Sequence, residues 1–251
     1  MRTKLFIVTS LFITSVTSFA QSSNVGLSDR WNTLYLQWNP SSFVPEEGSS
    51  ENFTGLSVGL NSAFSISQKL PLYLETGFGF QYSFYAKEIT ESVAEELGVR
   101  TYVVSTLLRP EEIITMYSAK IPFGLAYAFR IPDTKLELIP NVGLDLRLNI
   151  VGKAKARFNL TSEGISQLKY NGYTQQMINK TFGDREINLF DLNDMGSDAA
   201  TWNRFQVGWH VGLNARISNI FLMGVSYGTD FSEITQNTKI HTTSLSVGYC
   251  F

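Results

Sequence analysis

Apolar and small or polar residues alternate with a period of two along most of the chain beyond residue 30. Because successive side chains of a β-strand point to opposite faces, this period predicts strands whose two faces meet different surroundings. In the clearest segment, Leu, Phe and Tyr alternate with Glu, Gly, Gln and Ser. The alternating segments are 34–38, 56–64, 70–85, 117–129, 136–150, 205–215, 221–227 and 244–251.

The composition of the two faces decides between a soluble sandwich and a membrane barrel. In a sandwich the second face meets water and should carry Lys, Glu and Thr, whereas here it is rich in Gly, Ser, Ala and Asn. Small residues fit the narrow interior of an eight-stranded barrel. The opposite face is large, aromatic and almost uncharged, which is typical of the lipid-facing side of a transmembrane barrel. We therefore predict an all-β fold, an antiparallel eight-stranded up-and-down transmembrane β-barrel.

The connections between these segments are alternately short and long. Short ones are 65–69, 131–134 and 217–219, and longer ones are 40–51, 87–111, 152–202 and 232–238. Outer-membrane barrels have short periplasmic turns and long external loops, so eight strands place every longer loop outside. Within these loops we predict a short acidic helix over 87–97, an extended strand over 101–108, and exposed turns at 170–173 and 191–194. Aromatic residues predicted to mark the two interfaces are Phe64, Phe129, Phe221 and Phe251 on one side and Trp38, Tyr82, Tyr117, Phe205 and Tyr227 on the other.

The first twenty residues have the layout of a secretory signal peptide. Arg2 and Lys4 precede a largely apolar run over 5–16, and Ser18-Phe19-Ala20 supplies small residues at a cleavage site. The predicted domains are therefore a signal peptide, 1–20, and a barrel, 21–251, in the outer membrane. The run is too short for a membrane-spanning helix, and no later stretch has 18 apolar residues.

Composition excludes several classes of function. Of 20 basic residues, the signal peptide would remove two, which leaves 18 against 22 acidic residues and a charge of −4. No basic patch suggests nucleic-acid binding. A mean hydropathy of −0.02 argues against a helical membrane protein. The single cysteine, Cys250, permits no intrachain disulfide, and its parity predicts a small residue buried in the lumen.

The chain resembles the outer-membrane β-barrel domain family common in Bacteroidota, often labelled PorT-like, and small barrels of the OmpX and OmpA kind. The run Ile121-Pro122-Phe123-Gly124-Leu125-Ala126-Tyr127, the glycine-alternating strands and the terminal Leu245-x-Val247-x-Tyr249-x-Phe251 carry this resemblance. It implies that Tyr249 and Phe251 form the signal read by the barrel-assembly machinery. Since members of the family mostly lack an assigned activity, the resemblance implies a fold more than a function.

Seven ionisable residues have inward parity and form the candidate functional set. They could form a polar gate or narrow conduit, or an internal network of ion pairs that fills a closed lumen. The second interpretation is favoured, since wide aqueous channels belong to larger barrels and buried charges need partners. The residues are Glu75, Lys120, Glu137, Asp145, Arg147, Arg204 and His210.

Catalytic and metal chemistry find little support in the sequence. The only histidines are His210 and His241, too few for a typical metal site, and we predict no cofactor. His241 with Ser232 and Glu233 could form a hydrolase set of the kind found in some lipid A deacylases, but no nucleophile motif surrounds any serine.

We therefore expect a monomeric, non-enzymatic barrel whose long external loops bind an extracellular ligand or protein or stabilise the envelope. Its other partners would be outer-membrane lipids and the assembly machinery. The alternatives are a narrow pore and a lipid-modifying enzyme.

Overall fold

The structure is a computed structural model that describes residues 30–46, 50–67, 70–97, 100–191 and 202–251, without the side chains of Ser92, Glu96, Leu97 and Tyr102. The predicted signal peptide, 1–20, lies outside the described residues, as does most of the predicted turn at 191–194. Among the described residues, no helix has the length and apolar character needed to cross a membrane.

Ten strands and four short helices make up the described chain. In order they are β1 (Arg30–Pro45), β2 (Glu51–Ser65), β3 (Leu72–Glu88), α1 (Thr90–Leu97), α2 (Thr101–Leu107), β4 (Pro110–Tyr127), β5 (Phe129–Arg130), β6 (Leu136–Phe158), α3 (Ser162–Tyr170), α4 (Gln175–Thr181), β7 (Arg185–Asn188), β8 (Phe205–Ile217), β9 (Phe221–Asp230) and β10 (Thr238–Cys250).

Eight long strands close into an antiparallel barrel. The order is β4-β3-β2-β1-β10-β9-β8-β6, and pairing of β4 with β6 joins the two ends of the sheet. Each long strand therefore lies beside its neighbours in sequence, which is the up-and-down arrangement, and the predicted fold class is confirmed. Strands β5 and β7 are short additions that pair with β6. We call the end with short connections the turn end and the end with long connections the loop end.

An apolar belt surrounds the outside of this barrel. Its side chains are about half exposed although they are Leu, Val, Ile, Phe, Met, Tyr and Trp, which is the pattern of a lipid-facing surface rather than of a water-soluble one. Every long strand contributes to this belt, with exposed residues such as Trp38, Val58, Phe80, Phe123, Leu144, Val211, Met223 and Val247. The predicted outward faces are therefore the outward faces observed.

Strand β6 contains an irregularity that the alternation did not predict. Tyr117 of β4 pairs with Val151, while Ser118 pairs with Asn149, so Ile150 is an extra residue on β6. Such a bulge reverses which residues face inward. Below it Asn149 is buried in the barrel; above it Gly152 and Ala154 are buried instead. Beyond the bulge β6 continues to Phe158. The sequence had predicted a loop from residue 152, because the inward and outward positions change places there.

The loop end differs from the prediction in two other places. β1 continues to Pro45, so the first connection is shorter than the predicted 40–51. The helix predicted over 87–97 is present as α1, but the strand predicted over 101–108 is wrong, because that segment is the helix α2. Val93 and Ala94 of α1 pack against Val104 and Leu108 in a small separate core. Helical packing of these apolar residues replaces the predicted strand.

Candidate functional site in the barrel interior and its external extension

A charged cluster occupies the middle of the barrel interior. Asp145 on β6 lies 3.1 Å from the Nζ of Lys120 on β4 and 3.1 Å from the Nδ1 of His210 on β8. The strands are neighbours, and inward parity directs all three side chains into the lumen. The structure thus brings together three of the seven predicted site residues.

A second cluster lies next to it on the loop side. The Nη1 of Arg147 lies 3.3 Å from the Oδ2 of Asp230, and the Nε2 of Gln206 donates to the same oxygen at 3.0 Å. Gln206 is fully buried, and its Oε1 accepts from Asn149 at 3.0 Å. Asp230 was not predicted, although the alternation of Gly224, Ser226 and Gly228, extended by one step, would have found it.

Glu137 belongs to a separate group at the turn end. Its carboxylate accepts hydrogen bonds from Arg216 and from Arg130, the latter with an Nη2–Oε1 distance of 2.9 Å. The guanidinium of Arg216 lies 4.1 Å above the ring of Trp31. Arg216 also has inward parity one residue beyond the predicted strand 205–215. The two arginines at the turn end therefore neutralise Glu137, and no residue of the central cluster takes part.

Glu75 faces a central cavity of about 90 Å³ that Lys120, Asp145 and His210 also line. Among the described residues, it has no hydrogen-bond or ion-pair partner. Glu75 lies in the same row of paired residues as His210, through Gly124 and Gly143 on the intervening strands. A cavity of this size, lined by polar groups, has room for several water molecules that could hydrogen-bond to a carboxylate.

Apolar side chains fill the barrel interior near both ends. The turn-end plug is a buried cluster drawn from strands around the circumference, namely Trp31, Ala63, Ala126, Ala128, Ile139, Leu222 and Cys250, with Tyr73 against it. The loop-end plug is a larger buried cluster of Phe43, Phe53, Tyr85, Ile114, Met116, Ala154, Leu189, Ile234 and Ile240. The polar cavity thus lies between two apolar plugs, which sequence parity could not distinguish from the rest of the inward face.

The inward placement predicted for Arg204 is wrong. Strand β8 begins at Phe205, so the alternation stops before Arg204 and does not control its direction. Arg204 is exposed at the loop end, where it donates to the carbonyl of Ile150 at 3.1 Å and lies 4.5 Å above the ring of Phe190.

The residues considered for a hydrolase set bond to different partners. The Nδ1 of His241 lies 2.9 Å from the hydroxyl of Tyr227 on the outer surface. Ser232 accepts from the backbone N–H of Val207 at 3.1 Å, and Glu233 accepts from that of Asn237 at 3.0 Å. Across the described part of the chain, no three His, Cys, Asp or Glu residues are grouped as a metal site. The geometry therefore favours neither a hydrolase set nor a metal centre at His241.

A rim of charges lies above the belt at the loop end. Glu51 accepts hydrogen bonds from Lys87 and from the hydroxyl of Tyr85. Burial opposes ionisation of Glu51, but these bonds hold its pKa below the ordinary 4.5. Glu112 shows the reverse, and it pairs with Lys87 across β3 and β4. Burial raises the pKa of Glu112, and the positive charge of Lys87 offsets this rise only in part. The pKa values of two carboxylates of one rim are thus shifted in opposite directions.

Comparison with known proteins adds no family. No protein-family model matches the chain, and no curated protein is significantly similar to it in sequence. Among solved structures, the Ail protein of Yersinia pestis, in complex with the heparin analogue sucrose octasulfate, is 13% identical with a TM-score of 0.41, and the match covers 89% of this chain and 99% of Ail.

Two other small outer-membrane proteins are similar at the same level. Neisserial surface protein A is 10% identical with a TM-score of 0.37, covering 90% of this chain and 98% of its own. The outer membrane enzyme PagL is 10% identical with a TM-score of 0.40, covering 84% and 97%. Likenesses this distant carry no argument about function, and the barrel rests on the strand pairing of the chain itself.

Proposed function

We propose that this protein is an integral outer-membrane barrel with a non-enzymatic role, exercised through the structured segments at its loop end. The observation that carries the proposal is the exposed apolar belt around a polar interior, which is stable only where lipid covers the belt. In this proposal the turn end faces the periplasm and the loop end faces outward. Outer-membrane lipids and the barrel-assembly machinery are its expected partners, and it acts as a monomer.

The two apolar plugs favour the hypothesis of a closed barrel and argue against that of a narrow pore. Ion passage would require water to cross clusters of buried aromatic and aliphatic side chains such as Trp31, Ile139, Phe43 and Ile240. Between them, Asp145 has both Lys120 and His210 as neighbours, so the central charges already neutralise one another in part. Charges paired in this way support a filled lumen rather than an ion path.

Conductance in planar bilayers tests this part of the proposal. The purified full-length protein should give no steady ion current. A matched pair of variants makes a positive result informative: Arg147→Ala changes a buried lumen residue, while Arg204→Ala changes an exposed one. A steady current that responds to Arg147→Ala and ignores Arg204→Ala would replace the closed barrel with the pore.

The loop end supports a surface role because it is folded rather than merely long. Helices α1 and α2 share a core with Phe158 and Phe182, and the β6–β7 pair extends beyond the belt. A rigid scaffold of this kind can present residues for recognition. Replacement of residues 161–184 by a short Gly/Ser linker should abolish partner binding or weaken the envelope to detergents while the barrel still folds. Unchanged binding and unchanged envelope integrity would count against the proposal.

A lipid-modifying activity remains the alternative in which His241 acts on a lipid. Lipid A mass profiles from cells carrying His241→Ala test it, and we expect them to match those of cells with the unaltered protein. Membership of the PorT-like family stays a prediction from the sequence motifs, and no role in protein secretion is proposed.

A further inference from the structure

The outermost part of the third long connection presents an exposed aromatic and cationic surface. We call the segment 169–177 the tip; each of its nine residues is exposed. Tyr170 is 91% exposed, Met177 is 52% exposed and Tyr173 is 38% exposed. These three side chains lie within eight residues of one another, and a group of exposed apolar side chains is a feature of binding surfaces.

The tip is held in place from both sides. Gly164 of α3 packs so closely on α2 that an added Cβ would lie 2.5 Å from the carbonyl oxygen of Leu107. On the other side, Ile178 of α4 is fully buried, and Phe182 packs on Phe158 at 5.8 Å between ring centroids. The side chains of Thr161 and Thr174 cap the two helices. A surface fixed in this way loses little conformational entropy when it binds.

The turn between the two helices fixes the backbone that carries the two tyrosines. Gly172 has a φ of +88°, in the region that glycine adopts readily, and no other atom crowds it. The backbone N–H of Tyr173 donates to the carbonyl of Leu168 at 3.0 Å, and that of Gly172 donates to Lys169 at 3.1 Å. These bonds close the end of α3 and set Tyr170 and Tyr173 on either side of a single glycine.

The charges around the tip are cationic, and the described residues supply no ion-pair partner for them. Residues 164–183 contain no Asp or Glu but include Lys169 and Lys180, and Arg185 follows. In the described part of the chain, none of these three cations has an ion-pair partner. The nearby carboxylates do not compensate them: Asp184 is paired with Lys155 at 2.7 Å, Glu186 is paired with Lys153, and Glu163 lies at the opposite end of α3 from Lys169.

The remaining groups of this segment are amides and hydroxyls. Gln167, Asn171, Gln175, Gln176 and Asn179 supply both donors and acceptors. Pairs of donors and acceptors match sugar hydroxyls, and flat tyrosine faces with negative π-clouds match the C–H faces of pyranose rings. Unpaired cations match carboxylate or sulfate groups. Protein partners would more often require a larger apolar contact at the centre of the interface.

From these observations we propose that the tip, together with Lys180 just beyond it, is a binding site for an acidic polysaccharide, with Tyr170 and Tyr173 stacking on sugar rings and Lys169 and Lys180 contacting acidic groups. This inference rests on the proposed surface role of the loop end and names the class of its partner. The β6 strand carries the site well clear of the lipid: seven residues separate Val151, at the edge of the belt, from Phe158, a strand length of about 20 Å. The ligand is therefore reached from outside the membrane.

Titration of the full-length protein in phospholipid nanodiscs tests the inference. The probes are a sulfated glycosaminoglycan octasaccharide, an oligogalacturonate of equal length, and neutral dextran oligosaccharide. We expect saturable binding of one or both acidic probes, weakened by added salt because the contacts are exposed, and no binding of dextran. An absence of binding by both acidic probes at low salt overturns the inference.

Variants separate the tip from general attraction between charges. Lys169→Glu with Lys180→Glu should weaken binding at least about tenfold, while Lys239→Glu, an exposed reversal on β10, should change it little. Tyr170→Ala should weaken binding by about tenfold, since aromatic anchors dominate such contacts, and Tyr170→Phe should retain most of it. Equal losses in the tip and Lys239 variants would contradict the site. The barrel's resistance to unfolding in SDS verifies that every variant is folded.

Two further arms identify the source of the acidic groups and distinguish the two proposals. If lipopolysaccharide in the nanodisc competes with the probes, the natural ligand is the phosphorylated sugar of the same membrane; if it does not, the ligand is an external glycan. Loss of partner binding on replacement of 161–184, with full binding retained by the Lys169→Glu, Lys180→Glu and Tyr170→Ala variants, would overturn the glycan site in favour of a protein partner. That outcome would leave the surface role standing.

Discussion

Two levels of the barrel wall have opposite polarity. Within the belt the outward residues are apolar, as at Leu144, and the inward ones are charged, as at Asp145. Above the belt β6 carries charged outward residues such as Lys153 and Lys155, while inward residues such as Ala154 and Ile240 form an apolar core. The same strands therefore pass from a membrane-protein pattern to a soluble-protein pattern.

This difference shows how one sheet can meet two solvents. Where lipid surrounds the barrel, polar groups must face inward and find partners there. Where water surrounds it, the hydrophobic effect favours the reverse, and inward apolar side chains seal the lumen as a consequence. The loop-end plug is thus the ordinary apolar core of a water-exposed level. The turn-end plug instead lies inside the lower part of the belt, where Leu222 is flanked by the exposed Phe221 and Met223.

The strongest test of the central polar level is removal of one charge. Asp145→Ala leaves Lys120 buried without its carboxylate, and loss of one partner of a buried pair costs about 3–5 kcal/mol. The double variant Lys120→Met with Asp145→Leu should cost much less, because no charge stays unpaired. Urea unfolding in lipid vesicles measures both. A double variant as unstable as the single one would mean that packing, not charge, holds this level together.

The apolar plugs should respond to loss of volume instead. Ile139 at the turn end is fully buried, so Ile139→Ala should cost about 2–5 kcal/mol through lost burial and the cavity left behind. Leu144→Ala on the outward face of the same strand is the matched control, and lipid chains can fill the space that it leaves. The same unfolding assay compares them, and equal losses would contradict a packed core at the turn end.

The closing strand offers a smaller and more local test. The backbone N–H and C=O of Phe251 both bond with Asn32, at 2.9 and 3.0 Å, and its ring lies beside that of Tyr249. Deletion of Phe251 removes two hydrogen bonds worth about 1 kcal/mol each, and Phe251→Asp places a charge where the belt ends. We expect both to reduce the folded fraction in the outer membrane while export continues, with Phe251→Tyr as the control. Normal surface levels of the first two would contradict an assembly role for Tyr249 and Phe251.

The smallest effect concerns the rim of the upper level. Because the pKa of Glu51 is lowered, its contribution to stability is present above about pH 4.5 and is lost as the pH falls below that value. Because the pKa of Glu112 is raised, its ionisation costs stability as the pH rises from about 4.5 through the raised pKa of the folded state. Glu51→Gln and Glu112→Gln should therefore change the pH dependence of amide exchange in β2–β4 in opposite directions. Parallel changes would contradict the opposed environments of the two carboxylates.

The sequence by itself determined the barrel and the two faces of its wall. A strict period of two, with Gly and Ser opposite Leu and Phe, indicates strands with one lipid-facing side. The alternation of short and long connections indicates an even number of strands. That period also placed Lys120, Asp145 and His210 on the inward face. The period predicted the wrong direction for Arg204, because side chains alternate between two faces only within a strand and β8 begins at Phe205.

Tertiary structure alone decided what those inward residues meet. Asp145 could pair with Lys120 only because β4 closes on β6, a contact between strands that alternation does not register. The bulge at Ile150 reverses which side chains of β6 face inward, and it depends on the register with β4. The sequence alone therefore predicts a loop where β6 continues above the belt. The division of the lumen into a polar cavity and two plugs depends on the closed ring. The holding of the segment 169–177 between Gly164 and Ile178 likewise depends on packing between segments far apart in sequence.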